Sequence, residues 1–188
     1  MAIIVPGLPG LVTPEEYERE LLKANQAVKL DPMPQRRGKS KQDFGTPEEF
    51  LIGLQKQFGK IGIDLAARAD NTVADRFISP EQDSLKTDWS KIILPTGDIA
   101  FANPPFADLA PWAKQLETTR HLSRWTIMLC PASMGSKWWV THVLGKIMSF
   151  GIPRMKFRFS DGMYPKDLAI ICAGFGVSGT GYFDWRKQ

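Results

Sequence analysis

Four residues, Asn103-Pro104-Pro105-Phe106, have the types and the order needed to grip a planar amino group. They follow directly on the apolar run Ile99-Ala100-Phe101-Ala102. A proline fixes φ near about −65° and brings no N–H donor, and the residue ahead of it is pushed toward extended backbone. The turn is therefore stiff, and its carbonyls stay available as acceptors. A carboxamide stands at its start and an aromatic ring at its end. The Asn103 side-chain oxygen and the Pro104 carbonyl could hold the two hydrogens of an amine, while Phe106 stacks on the ring that carries it. The plainer reading of the same residues is a strand-ending turn with a buried Phe.

Elements that must position this turn can be read on both sides of it. Residues 1–12 are apolar and rich in Pro and Gly, with no periodicity to fold around. Thr13-Pro14-Glu15-Glu16 starts a helix, with a cap, Pro at the first helical position and Glu three residues after the cap. That helix is expected to run to about residue 30, where Asp31-Pro32-Met33-Pro34 stops it. Residues 1–43 thus form a helix and a basic linker arm, and one domain spans 44–188. A second start of the same kind, Thr46-Pro47-Glu48-Glu49, precedes Phe50, Leu51, Leu54 and Phe58 at helical spacing.

Strands are expected over 60–66 and 98–102, weakly over 74–78, and over 125–130, with helices over 106–117 and 136–150. At the end, 154–159 and 168–175 read as a hairpin. Apolar strands alternating with helices predict an α/β fold: a mostly parallel sheet covered on both faces, with a C-terminal antiparallel hairpin. In such sheets ligands collect at the carboxyl ends of the strands, where Asp64 and Asn103 fall.

The bulk properties fit an ordinary soluble chain: 188 residues, 43% hydrophobic, 23% charged, net charge +4. The charge is clustered, however. Arg36-Arg37-Gly38-Lys39-Ser40-Lys41 is one cluster, and 146–166 holds five cations against Asp161 alone. Either suits a polyanionic partner or a solvated surface. In 154–159 a period of two puts Arg154, Lys156 and Arg158 on one face and Met155, Phe157 and Phe159 on the other. Cys130 and Cys172 sit in apolar runs and read as buried thiols; His121 and His142 stand apart, so no metal site is expected. With no signal-peptide pattern or long apolar span, an intracellular protein without a membrane partner is expected.

In their order, Thr46-Pro47, Ile63-Asp64-Leu65-Ala66-Ala67, the stretch 83–89 and Phe101-Ala102-Asn103-Pro104-Pro105-Phe106 resemble the phage-type, Dam-like DNA N6-adenine methyltransferases. The resemblance covers roughly 43–175 and implies a Rossmann-like, seven-stranded methyltransferase sheet in unpermuted order. It further implies S-adenosyl-L-methionine as cofactor, a flipped-out adenine in double-stranded DNA as substrate, and the cytoplasm of a bacterial host as the setting. Asn103, Pro104, Pro105 and Phe106 would form the catalytic turn. Thr46, Pro47, Asp64, Ala66, Asp70, Asn71 and Asp83 would serve the cofactor: Asp64 near its amino-acid end, Asp83 at its adenine, Asp70 or Asn71 at its ribose. The glycine-rich loop of many methyltransferases is missing after the first strand, where small alanines stand instead.

Arg36, Arg37, Lys39, Lys137, Arg154, Lys156 and Arg158 are the candidate DNA contacts, and loops 132–137 and 160–166 the candidate readers of a short target. Trp138-Trp139 reads as core at a helix start. Rival readings are a methyltransferase acting on RNA or on a protein glutamine amide, and an inactive relative that only binds nucleic acid.

Overall fold

The computed structural model describes residues 44–188 and, ahead of them, the backbone of residues 3–4 and 11–12. The chain divides into two units, Met1–Ser40 and Lys41–Gln188. In the first, β1 (Ile3–Ile4) pairs antiparallel with β2 (Leu11–Val12). The apolar start therefore does pair locally, despite its lack of periodicity. The helix expected over 13–30 and the basic segment with Arg36, Arg37 and Lys39 lie outside the described residues.

The second unit is an α/β layer structure. Its elements are α1 (Glu48–Phe58), β3 (Ile61–Asp64), β4 (Ile99–Ala102), α2 (Ala110–Glu117), β5 (Thr126–Pro131), α3 (Lys137–His142), β6 (Met148–Ile152), β7 (Leu168–Ala173) and β8 (Gly179–Tyr182). The sheet order is β3-β4-β5-β7-β6-β8. Only β7 runs against its neighbours, pairing antiparallel with both β5 and β6. All six residues of β5 and all six of β7 are buried, as a strand covered on both faces requires. Met128 and Cys130 enter the core on one side, with Trp89, Trp139 and Leu116. Ile127 and Leu129 enter it on the other, with Phe50, Phe101 and Phe157. Cys130 and Cys172 are free and buried on opposite sides.

Six strands form this sheet among the described residues, where seven were expected. The weak strand over 74–78 shrinks to one bridge, Asp64 with Phe77, held by Asp64 N–H to Arg76 O and Ile78 N–H to Asp64 O. Pro80 and the polar run after it cannot extend that pairing. The stretch over 84–94 folds as turns with a 3₁₀ turn at Trp89–Lys91. Trp89 is fully buried there, its indole N–H shared between Ser84 O and Oγ at 3.0 and 3.1 Å.

The end of the chain also differs. The helix expected over 136–150 stops at His142, and Gly145 adopts φ 71. Its tail becomes β6, which pairs with β7 from Met148 opposite Cys172 to Ile152 opposite Leu168. The expected hairpin of 154–159 with 168–175 does not form; 168–172 pairs antiparallel with 148–152 instead. Pro153 explains the shift, since it offers no N–H to continue the ladder. Residues 154–159 run outside the sheet and make one isolated antiparallel bridge, Arg158 with Gly45, ahead of α1. Gly59 ends α1 at φ 113, where a Cβ would lie 2.0 Å from Gly97 O, so no other residue fits.

Candidate active site

The chain leaves β4 through Asn103-Pro104-Pro105-Phe106, and the geometry fixes which way the Asn103 amide faces. Its Nδ2 donates to Phe44 O at 2.6 Å and to Thr46 Oγ1 at 3.1 Å. A carbonyl oxygen can only accept, so the amide NH₂ must be the end that meets Phe44. Oδ1 is left as the side chain's remaining hydrogen-bonding atom. Thr46 is 3% exposed and does not cap α1; Pro47 holds the cap position and no side chain bonds there. The hydroxyl expected to start a helix is turned onto Asn103 instead.

Pro104 is buried and Pro105 exposed. Phe106 is half-buried among Phe44, Phe157 and Tyr164. The Phe44 ring lies 6.0 Å from that of Phe106 at 27°, close to parallel. One residue thus supports the turn twice, by its carbonyl and by its ring. The sequence reading missed Phe44; its aromatic character one residue ahead of Gly45-Thr46 was the available signal.

Beside the turn, the carboxyl ends of β3 and β4 open on a cleft of about 220 Å³. Asn103 and Pro105 line it, together with Ala66, Asn71 and Asp83. Leu65, Ile78 and Trp112 give it apolar walls, and Trp112 is a second residue the sequence reading passed over. Asp83 sits at φ 54, with its carboxylate accepting from Leu85 N–H and paired with Lys86 Nζ at 2.9 Å. Those partners, Lys86 first, hold its carboxyl below the usual range, so it stays ionised. Asn71 Oδ1 accepts from Arg68 N–H at 2.7 Å.

Four of the expected cofactor residues, Thr46, Pro47, Asp64 and Asp70, are not on this lining. Asp64 is 4% exposed and lies behind it. Its Oδ1 accepts from Ala66 N–H and its Oδ2 from Val73 N–H, so one carboxylate closes the loop from 65 to 73 upon itself. Burial raises its pKa to about 6, although both hydrogen bonds oppose the shift. Asp70 points outward and pairs with Arg68 at 3.1 Å. Pro47 is buried at the start of α1.

Arg154, Lys156 and Arg158 are exposed while Met155 and Phe157 are buried, as their alternation predicts. Phe159 breaks the pattern: it is exposed, not turned inward, at φ 64. Lys137 is exposed in the first turn of α3. Trp139 is buried and Trp138 half-buried against it, ring centres 5.3 Å apart, within the core. Among the described residues no group of three His, Cys, Asp or Glu could hold a metal ion, and no helix is long and apolar enough to cross a membrane.

The pattern of a family described as DNA N-6-adenine-methyltransferase (Dam) matches residues 35–158. Over 96 residues, 50% of this chain, there is 30% identity to the DNA N-6-adenine-methyltransferase of Escherichia phage T1, and the match spans only 38% of that relative. Over 67 residues, 36% of this chain and 69% of the relative, there is 31% identity to "Putative methyltransferase YfdM" of Escherichia coli (strain K12). The chain belongs to the DNA N-6-adenine-methyltransferase (Dam) family.

Proposed function

We propose that this chain transfers a methyl group from S-adenosyl-L-methionine to the exocyclic N6 of an adenine flipped out of double-stranded DNA. The observation that carries the reading is the pinned amide of Asn103, whose NH₂ is spent on Phe44 O and Thr46 Oγ1 at the edge of the cleft. Its Oδ1 is thereby presented as an acceptor next to the Pro104 carbonyl.

The amino group of adenine is a weak nucleophile because its lone pair is delocalised into the ring. With one hydrogen on Asn103 Oδ1 and the other on Pro104 O, the nitrogen is biased toward a tetrahedral, electron-rich form. Both contacts strengthen as positive charge grows on nitrogen, which lowers the barrier and not merely the binding energy. Phe106, backed by Phe44, Phe157 and Tyr164, offers a face on which the base stacks, which offsets part of the loss of its place in the duplex. Proton loss from the methylated amine follows attack, so no histidine is needed at the turn.

The cleft fits the cofactor by the chemistry of its lining. Asp83 is an ionised acceptor suited to an adenine amine, Leu65, Ile78 and Trp112 are apolar walls for its ring, and Asn71 is a polar neighbour for ribose hydroxyls. Ala66 is small where the backbone must come close. Bound there, S-adenosylmethionine supplies an electrophilic methyl on a sulfonium. Asp64 acts from behind, holding the loop that forms one wall, while Thr46 acts through the Asn103 anchor. Asn71 takes the ribose role in preference to Asp70, which is engaged with Arg68. Arg154, Lys156, Arg158 and Lys137, with Arg36, Arg37 and Lys39 of the arm, would meet phosphates.

The purified protein, offered methyl-labelled cofactor with DNA, RNA and protein acceptors in parallel, tests the reading. Label is expected in DNA adenine. Label confined to RNA or to glutamine amides would overturn the choice of substrate, and none in any acceptor would overturn the enzyme.

A further inference from the structure

We propose that Phe159 is a wedge that enters the base stack of duplex DNA beside the extruded adenine; this rests on the function proposed above. The ring is 63% exposed, at the end of a segment that buries Met155 and Phe157. Extended backbone would have turned it inward like those two. Instead the residue sits at φ 64, a region that side chains other than glycine seldom adopt and that is held only where the surroundings impose it. Ser160 imposes it here, its N–H and its hydroxyl both donating to Phe157 O, at 3.3 and 2.7 Å.

The charge around the ring suits a polyanion. The Arg158 guanidinium lies over Phe159, 5.2 Å from the ring centre. Arg154, Lys156 and Arg158 are exposed, and none forms an ion pair among the described residues. Glu48 and Glu49 line the same groove as these cations, and Asp161 follows on the loop.

Position ties the ring to the chemistry. Arg158 N–H donates to Gly45 O at 2.7 Å, and a Cβ on Gly45 would come within 2.9 Å of Arg158 Cβ and 3.0 Å of Phe159 Cε2. The residues on either side of Gly45 supply both acceptors that hold Asn103, Phe44 O and Thr46 Oγ1. Three consecutive residues thus set the amine-holding turn and the exposed ring together. Apolar side chains pushed between base steps unstack and kink a duplex, and a base must leave its stack before its amine can reach such a turn. Phe159 has the exposure, the cationic flank and the place to do this.

The test uses the full chain and its Phe159→Ala and Phe159→Gly variants, the second being at ease in the left-handed backbone. The substrates are a duplex carrying the site mapped on plasmid modified by the unaltered protein, and the same duplex with the target adenine opposite an abasic position. Cofactor binding is expected to stay unchanged, and methylation of the paired duplex to fall at least tenfold. The abasic duplex, whose adenine has no partner to leave, should restore most of the rate. Wild-type rates on the paired duplex, equal loss on both duplexes, or loss of cofactor binding in both variants would each overturn the wedge. An unaltered protein that methylates no DNA would overturn the proposed function itself, and the wedge with it.

Discussion

The carbonyl of Phe44 decides what residue 103 can be. It demands a donor, and the Asn103 amide supplies one at 2.6 Å. Asn103→Ala should lower methyl transfer by on the order of 10²–10³-fold, the range seen when one preorganised transition-state contact is removed, and reduce stability by only about 1 kcal/mol. Asn103→Asp should be nearly as inactive at neutral pH, because a carboxylate would face Phe44 O with no hydrogen to share. Thr46→Val keeps the shape and removes one anchor; kcat should drop by roughly tenfold with the cofactor KM unchanged. Steady-state kinetics and a melting curve read all three. Asp64 gives a pH test. Burial lifts its carboxyl from 3.8 to about 6, so the folded state binds more protons than the unfolded state between those values. Its favourable contribution is complete below the unfolded value and is lost as pH rises through about 6. Asp64→Asn cannot titrate. Between about pH 7.5 and about pH 5, urea unfolding should show the unaltered protein gaining roughly 1–1.5 kcal/mol on that variant.

At the scale of elements, α2 and α3 are held together by one carboxylate. Glu117 meets His142 Nδ1 and Lys146 Nζ, both at 2.8 Å, and Arg120 at 3.0 Å. Burial pushes its carboxyl up, but the hydrogen bonds from Lys146 and His142 outweigh this and leave it lowered. Glu117→Ala should destabilise the fold by about 1–3 kcal/mol, seen as a lower denaturant midpoint, with the cofactor KM little changed because the cleft lies elsewhere. Elements of this unit were legible where one signal dominated. The strands β4, β5 and β7 are short apolar runs with no competing period, and α1 repeats its apolar residues at helical spacing. Legibility failed where tertiary pairing overrode the local pattern. Residues 148–152 continue a helical-looking run but pair with β7, and 154–159 alternate like a strand yet are cut from the ladder by Pro153. The turn at Asn103 could be read because two prolines leave few backbone choices. Its anchors could not, since Phe44 O and Thr46 Oγ1 lie 59 and 57 residues away, and nothing in the local sequence of Thr46 distinguishes a helix cap from an amide partner.

Over the whole molecule, the segment with the exposed cations of 154–158 and the turn at Asn103 are linked through residues 44–46. Replacing Arg154, Lys156 and Arg158 together by Ala should weaken DNA binding at low salt and reduce the slope of log affinity against log salt by about 2–3, while leaving cofactor binding unchanged. Fluorescence anisotropy over a salt series measures both. The central claim is that Asn103 holds an adenine amine for methylation, and nucleoside mass spectrometry tests it most directly. DNA would be taken from a methylation-deficient bacterial strain expressing either the unaltered chain or Asn103→Ala, then digested to nucleosides. N6-methyldeoxyadenosine is predicted with the unaltered protein and at background level with the variant. Methylated cytosine in its place, or equal N6-methyldeoxyadenosine from both proteins, would contradict the account.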